Sequence, residues 1–471
     1  MSRTASSTSS SSSVSAAGSG TAVATTTPLS SAAVAAAESA KAAGAGLRAA
    51  HPETRGAVLA DLAAALERAD VRAAVFAANA RDVERARGNL APAIFKRLGL
   101  DPRKLEALSD GLRQLAAMPD LVGRVTLRRA LDDGLVLERV TTPLGLLGVV
   151  FEARPDALIQ IAGLALRSGN AVLLKGGREA QESNRALAAV IHEVLGRHGI
   201  DPQVVVLLED RAEVEAVLGL HGTVDLIVAR GSTEFVQHVQ RSTRIPVMAH
   251  AAGICHVYLH RAADPAMAAR LTIDSKLTYP AACNAVETLL WDEGAEAALD
   301  ATVGALRAAG VELRGCPATR ERHPDVLPAT DEDWDTEYGA PILAVRRVSG
   351  LEAALAHIAR HGSRHTEAIV TSDPVAAARF LGAVDAAGVY HNASTRFADG
   401  YRYGLGAEVG ISTDKLHARG PVGVDGLLTY RWLLHGHGQA TADYGPGGKA
   451  FLHRDLPTEP SPGRDDEPTF V

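Results

Sequence analysis

The sequence predicts an α/β protein with two open parallel-sheet domains and one β-hairpin. Two observations carry the sheets. Apolar strand-like runs alternate with helical stretches from Leu146 to about residue 262, and again from about 264 to 411. The third observation is an Asp133-Gly134 turn between two alternating runs, which predicts the hairpin over 121–141. A chain of 471 residues, 46% hydrophobic and 22% charged, has room for two or three such domains.

The elements follow in chain order. Residues 1–30 are Ser, Thr, Ala and Gly with one Arg and no acid. Such a stretch buries too little apolar area to offset its ordering entropy, so a disordered extension is expected. Targeting peptides share the composition but are richer in arginine. Helical spacing follows over about 31–49, 53–86 with breaks, and 102–117, carried by Val58, Leu62 and Leu66, then Leu105, Leu108, Leu112 and Leu115. In the first alternating block the strands are LLGVVF, NAVLLK, QVVVLL, TVDLIVAR and IPVMAH. In the second they are ETLLW, PILAV, EAIVT and AGVYHN, with helices over 264–277, 294–309, 350–360 and 373–382. From about 436 the chain is rich in Gly, Pro and charge, and disorder is expected to its end.

Composition also bounds the function. A net charge of -7 and an aromatic content of 4% argue against nucleic-acid partners. No apolar run approaches the ~20 residues of a membrane helix. Three cysteines, Cys255, Cys283 and Cys316, are too few for a disulfide framework. A reducing compartment, the cytoplasm, is expected. No set of histidines, cysteines and acids has metal-ligand spacing, so no metal site is predicted.

Two strand-to-helix turns carry glycine and positive charge: Lys175-Gly176-Gly177-Arg178 and Arg230-Gly231-Ser232-Thr233. Glycine lets a backbone approach a ligand, and a following helix start offers free N–H groups to phosphate. Ordinary loop glycines on a basic rim account for the same strings equally well. The GxGxxG fingerprint is absent, and GLGAEVG at 404–410 has the wrong spacing. Cys283 lies between a proline break and a strand, among small residues that leave a thiol accessible. A free thiol is only a few per cent ionised near neutrality yet strongly nucleophilic. A buried structural cysteine is the commoner fate of a lone thiol, and Cys255 and Cys316 are read that way. Glu337, before a strand, reads locally as a solvated acid.

Read together, five strings resemble the gamma-glutamyl phosphate reductase branch of the aldehyde dehydrogenase superfamily. They are GVVFEARPDALIQIAGLALRSGNAVLLKGGREA, IPVMAHAAGICHVYL, SKLTYPAACNAVETLL, DWDTEYGAPILAV and NASTRFADGYRYGLGAEVGISTDKLHARGP, and the likeness spans about residues 31–435. The resemblance implies an aldehyde dehydrogenase-like fold. An NADP-binding domain would take 31–120 and 142–262. An oligomerisation hairpin (121–141) would pair with 412–435, and a catalytic domain would take 263–411. It implies an NADPH-dependent reduction of L-glutamyl 5-phosphate to L-glutamate 5-semialdehyde with release of phosphate, the second step of proline synthesis. A separate glutamate 5-kinase would supply the substrate, and a homodimer or tetramer is expected.

Residue by residue, Cys283 matches the family nucleophile that forms a thioester. Lys175 matches the lysine at the cofactor ribose. Arg178 stands where NAD-preferring relatives of the superfamily often have a glutamate, which favours a 2′-phosphate and hence NADP. Gly176 and Gly177 belong to the same turn. Gly231 and Ser232 match the pyrophosphate turn, and Glu337 the glutamate at the nicotinamide ribose. The segment aligned with the superfamily's general-base glutamate, Met248 to Gly253, holds no carboxylate, and His250 falls near that place. The asparagine oxyanion donor is also missing at Phe151–Pro155, which leaves the backbone N–H groups of Cys283 and Asn284 for that task. Arg154, Arg396, Glu408, His417 and Arg419 are candidates for the charged ends of the substrate, or else members of solvated loops. His391 departs from the small apolar residue expected there. An oxidising aldehyde dehydrogenase and a non-catalytic dinucleotide-binding protein are the competing readings.

Overall fold

The computed structural model describes residues 31–458 apart from 91, 153, 232, 250, 251 and 416. The extension over 1–30 and the last residues of the predicted tail, 459–471, lie outside them. Helices Ser31–Ala49, Pro52–Glu67, Ala69–Ala86 and Pro102–Ala117 come first. Asp101 caps the last of these by accepting from the Lys104 N–H, and proline follows at the first helical position. Its leucine stripe, Leu105, Leu108, Leu112 and Leu115, is buried. Leu112 packs on Gly163 of helix Pro155–Arg167, where an added Cβ would stand 2.8 Å from the Leu112 side chain. Glycine there lets the two helices close on each other.

The first sheet has five parallel strands in the order Val205–Leu207, Ala171–Lys175, Leu146–Phe151, Leu226–Arg230, Val247–Met248. The middle strands are buried on both faces, so they read as continuous apolar runs rather than alternating ones. The strand order reverses between Leu146–Phe151 and Leu226–Arg230. Ligands in such sheets sit in the crevice beyond the carboxyl ends at that reversal.

The second sheet has seven parallel strands: Leu327–Pro328, Glu312–Gly315, Ile342–Val348, Val286–Asp292, Cys255–Leu259, Thr366–Val370 and Gly388–His391. This corrects the expected domain boundary at 262. Strand Cys255–Leu259 pairs with Val286–Asp292 and Thr366–Val370, so the chain has crossed to the second sheet before residue 255. An apolar strand buried on both faces fits either sheet equally, and only its pairing decides. Strands Glu312–Gly315 and Leu327–Pro328 and the helix Pro317–Arg322 between them were not predicted; they have four, two and six residues, too short for a periodic signal.

A four-stranded antiparallel sheet, in the order Leu428–His435, Leu135–Pro143, Val125–Asp132, Arg454–Leu456, stands apart. Its last strand corrects the expected disorder from 436 onward. Arg129 pairs with Asp455 at 2.6 Å, Tyr444 donates to Asp132 at 2.9 Å, and Tyr444 stacks on Phe451. The aromatic residues and the ladder hold a segment whose composition alone reads as loose. Among the described residues no helix is long and apolar enough to cross a membrane.

Candidate active site

Side chains of the first domain reach loops of the second: Arg97 to the Ala281 carbonyl, and Arg230 along Gly410. The first brings the carboxyl ends of its strands, and the second brings the residues just ahead of its strands. Cys283, half-buried, ends the loop before Val286–Asp292. Its Sγ lies 3.2 Å from Nε2 of His365, which is fully buried and stands one residue before strand Thr366–Val370. The other ring nitrogen of His365 is 2.8 Å from the Thr366 hydroxyl, which fixes the plane of the ring. A thiol in hydrogen-bond contact with an oriented imidazole can give up its proton without a carboxylate nearby. His365 was not singled out from the sequence. It lies 82 residues from Cys283, and no local pattern ties the two.

The nucleophile's backbone is clamped from several sides. A Cβ on Gly253 would lie 2.0 Å from the Cys283 carbonyl oxygen and 2.5 Å from its Cα, so only glycine lets the two chains touch. The Cys255 thiol lies 3.4 Å from the same carbonyl and donates to it. Burial pushes that thiol's pKa up, which keeps its proton in place. Cys255 is thus structural, as expected, but its structural task is to hold Cys283. The Asn284 side chain donates to the Ala398 carbonyl at 2.8 Å, while the Thr395 hydroxyl donates to the Asn284 carbonyl at 2.7 Å. Arg97, from helix Pro92–Leu98 beside the first sheet, donates to the Ala281 carbonyl at 3.3 Å. Among the described residues the N–H groups of Cys283 and Asn284 have no acceptor.

At the carboxyl ends of the first sheet's strands, Lys175, Gly176, Gly177, Arg178, Asn184 and Glu209 line a shallow recess. Lys175 ends its strand, is buried, and donates to the Gly176 carbonyl at 2.5 Å. Burial lowers its pKa, with Glu179 pulling the other way. A Cβ on Gly176 would strike the Asn184 amide, and Asn184 Oδ1 is buried without a donor. A lysine and an unsatisfied amide oxygen beside this turn are groups that fit the phosphate and ribose of a dinucleotide. Arg178 is exposed at the rim. Glu209, the acid of the recess, is paired with Arg185 at 2.5 Å. Gly231 closes on Phe235 and Glu152; Ser232 lies outside the described residues, as does His250.

Glu337 is exposed next to Tyr338, whose ring lies under Arg314 at 5.2 Å and Lys276 at 5.8 Å and whose hydroxyl donates to Asp333 at 2.7 Å. Lys276 in turn meets Glu287 at 2.5 Å, both fully buried. Burial lowers the Lys276 pKa and raises that of Glu287 to about 7.

The five substrate candidates divide. Arg230, at the carboxyl end of its strand, lies along Gly410, and Glu408 accepts from the Gly400 N–H at 2.8 Å. Burial and the neighbouring Arg154 lower the Arg230 pKa to about 10, against the opposite pull of Glu408 and Cys283. Burial likewise lowers Arg396, and Cys283 is again among the charges opposing it. Burial raises Glu408, with Arg230 as the main opposing charge. Arg154 pairs with Asp156 at 3.4 Å. His417 meets the Leu428 carbonyl at 2.8 Å, and Arg419 pairs with Asp385 at 2.7 Å. Both brace the loop leading to the hairpin sheet. His391 meets the Thr371 carbonyl at 2.9 Å, so it closes a strand end.

Comparison with known proteins follows from this geometry. The aldehyde dehydrogenase family model matches residues 123–314. A gamma-glutamyl phosphate reductase of Synechococcus sp. (strain JA-3-3Ab) is 57% identical over 390 residues, 81% of this chain and 86% of its own. One from Cyanothece sp. is 53% identical over 408 residues, 86% of this chain and 94% of its own. The crystal structure of the gamma-glutamyl phosphate reductase of Thermotoga maritima superposes with a TM-score of 0.83 at 36% identity, over 87% of this chain and 99% of that one.

Proposed function

The chain belongs to the gamma-glutamyl phosphate reductases of the aldehyde dehydrogenase family, and from that membership we propose the course of its reaction: an NADPH-dependent reduction of L-glutamyl 5-phosphate to the 5-semialdehyde through a thioester on Cys283. It is an oxidoreductase acting on a small molecule. In this reading the reaction is the second step of proline synthesis, in the cytoplasm, with a separate glutamate 5-kinase upstream and a homo-oligomer as the working form.

The chain's residues supply the following steps. His365 takes the proton of Cys283, and Sγ attacks the acyl carbon. The unengaged N–H groups of Cys283 and Asn284 face the developing oxyanion. The carbon–oxygen bond to phosphate breaks, and the proton held by His365 leaves with the phosphate. A reduced nicotinamide dinucleotide, held by the residues named below, would supply hydride for the acyl carbon. The carbon–sulfur bond then breaks, the aldehyde departs, and Cys283 recovers a proton from solvent by way of His365. Lys175 and the 176–177 turn would hold the cofactor's ribose and phosphates, Glu337 would hold its nicotinamide ribose, and Arg178 at the rim would favour a 2′-phosphate. The observation that carries this reading is the Cys283–His365 contact of 3.2 Å.

The test follows the dihydronicotinamide absorbance in the reverse direction, from semialdehyde and phosphate. Turnover is expected to need phosphate, and Cys283→Ser is expected to lose at least roughly 10³-fold in kcat while binding NADPH as before. Phosphate-independent turnover would identify an acid-forming dehydrogenase instead. An active Cys283→Ser enzyme would remove the thioester.

A further inference from the structure

We infer that Arg185 sets the cofactor preference of the recess beside Lys175, by occupying the Glu209 carboxylate that would otherwise take a ribose diol and repel a 2′-phosphate. The inference rests on the reading above that this recess holds the cofactor's ribose and phosphates.

The sheet ladder brings Glu209 to the recess. Strands Ala171–Lys175 and Val205–Leu207 are parallel neighbours, with Leu174 level with Leu207. The Leu208 N–H donates to the Leu174 carbonyl at 2.8 Å, so the ladder runs on past the last strand residue. Glu209 follows one residue later, one strand over from the Lys175-Gly176 turn. It lines the same recess as Lys175, Gly177 and Arg178.

An acid at this edge of a nucleotide-binding sheet selects between cofactors. Left open, it accepts from the ribose hydroxyls and opposes a phosphate on the same ring, which favours NADH. Held by a partner, it does neither. In this chain both oxygens are taken. Arg185 donates from Nε to Oε1 at 2.7 Å and from Nη2 to Oε2 at 2.5 Å, a two-point fork. Gln181, one turn earlier on helix Gln181–Arg197, donates to Oε2 at 3.4 Å. The third nitrogen of Arg185, Nη1, donates to Glu182 at 2.9 Å, which fixes the plane of the guanidinium. Hydrogen bonding to Arg185 holds the Glu209 carboxyl below its usual pKa, so the pair stays ionised at neutral pH. Both side chains are partly open to solvent, and pairs so placed add little to folding stability, so the fork can be cut without unfolding the chain.

The experiment reads affinity rather than turnover. NADPH and NADH are titrated by fluorescence against Arg185→Gln, Glu209→Gln and the double variant. Arg185→Gln is expected to weaken NADPH roughly fivefold or more and to leave NADH unchanged or tighter. Glu209→Gln is expected to stay near wild type for NADPH. The double variant is expected to return to that level, because no carboxylate is left to hold. Competition by 2′,5′-ADP is expected to follow NADPH, and competition by 5′-AMP to follow NADH. Equal losses of both cofactors in Arg185→Gln would make Arg185 a support of the fold and overturn the inference. A double variant as weak toward NADPH as Arg185→Gln would make Arg185 a direct phosphate ligand and overturn it too. Lys175→Met tests the premise by itself and is expected to weaken both cofactors. If it weakens neither, the recess reading fails and the inference with it. If it weakens both while Arg185→Gln leaves the NADPH-to-NADH ratio unchanged, only the inference fails.

Discussion

The two parallel sheets bring opposite edges to the proposed site. The first offers the carboxyl ends of its strands, where Lys175, Gly176 and Gly177 open into a helix-bearing turn and Arg230 and Gly231 open into another. The second offers its amino edge, where Gly253, Cys283 and His365 each stand just ahead of a strand. The carboxyl edge, the proposed binding edge, carries glycines and helix starts that write a local signature. The amino edge, the proposed reacting edge, gathers its side chains from distant segments. The first can thus be read along the chain, and the second only across it.

The sharpest way to break this contrast is at the imidazole. His365→Asn is expected to cost roughly 10²-fold or more in kcat, and to slow alkylation of Cys283 by iodoacetamide at neutral pH, with NADPH affinity unchanged. Unaltered alkylation would make His365 a packing residue and leave the thiol to another base. Next comes the buried pair behind the reacting edge. Lys276→Met leaves Glu287 without its partner in a site where both are fully buried, and a loss of about 3–5 kcal/mol is expected in denaturant unfolding. The double change Lys276→Met with Glu287→Leu should recover most of it. If the single and double variants are equally unstable, the pair is not what matters there.

Gly253→Ala tests the backbone clamp. Its Cβ would fall 2.0 Å from the Cys283 carbonyl, so the nucleophile must shift. A displacement near 1 Å is expected to cost roughly 10² in kcat with little change in cofactor affinity. Unchanged kcat would mean that the loop tolerates the move. The smallest effect belongs to the binding edge. Arg178→Glu is expected to weaken NADPH roughly tenfold relative to NADH, measured by fluorescence titration, because Arg178 sits on an open rim. Equal losses for both cofactors would remove the 2′-phosphate contact.

What was legible in the sequence follows the same division. Strand and helix alternation gave both sheets, and the Asp133-Gly134 turn gave the hairpin. The glycine turns and Cys283 were visible as strings. Three things were not. The transfer of Cys255–Leu259 to the second sheet depends on pairing rather than on pattern. The strand Arg454–Leu456 has only three residues and forms because a ladder waits for it. His365 looks like any histidine before a strand until folding brings it to Cys283. His417 and Arg419, offered for the charged ends of the substrate because they lie near a glycine-rich loop, have partners the sequence does not show, the Leu428 carbonyl and Asp385.

The strand contributed by residues 454–456 has a bearing on how copies of this chain can join. It lies along one margin of the antiparallel sheet, so that Leu428–His435 keeps the other margin, with Tyr430, Trp432 and Leu434 turned to solvent. A very short edge strand is one of the ways a sheet margin is blunted against pairing with another chain, while Leu428–His435 leaves a longer margin open. Removing the residues from 436 onward would bare Val125–Asp132 along the margin that residues 454–456 cover.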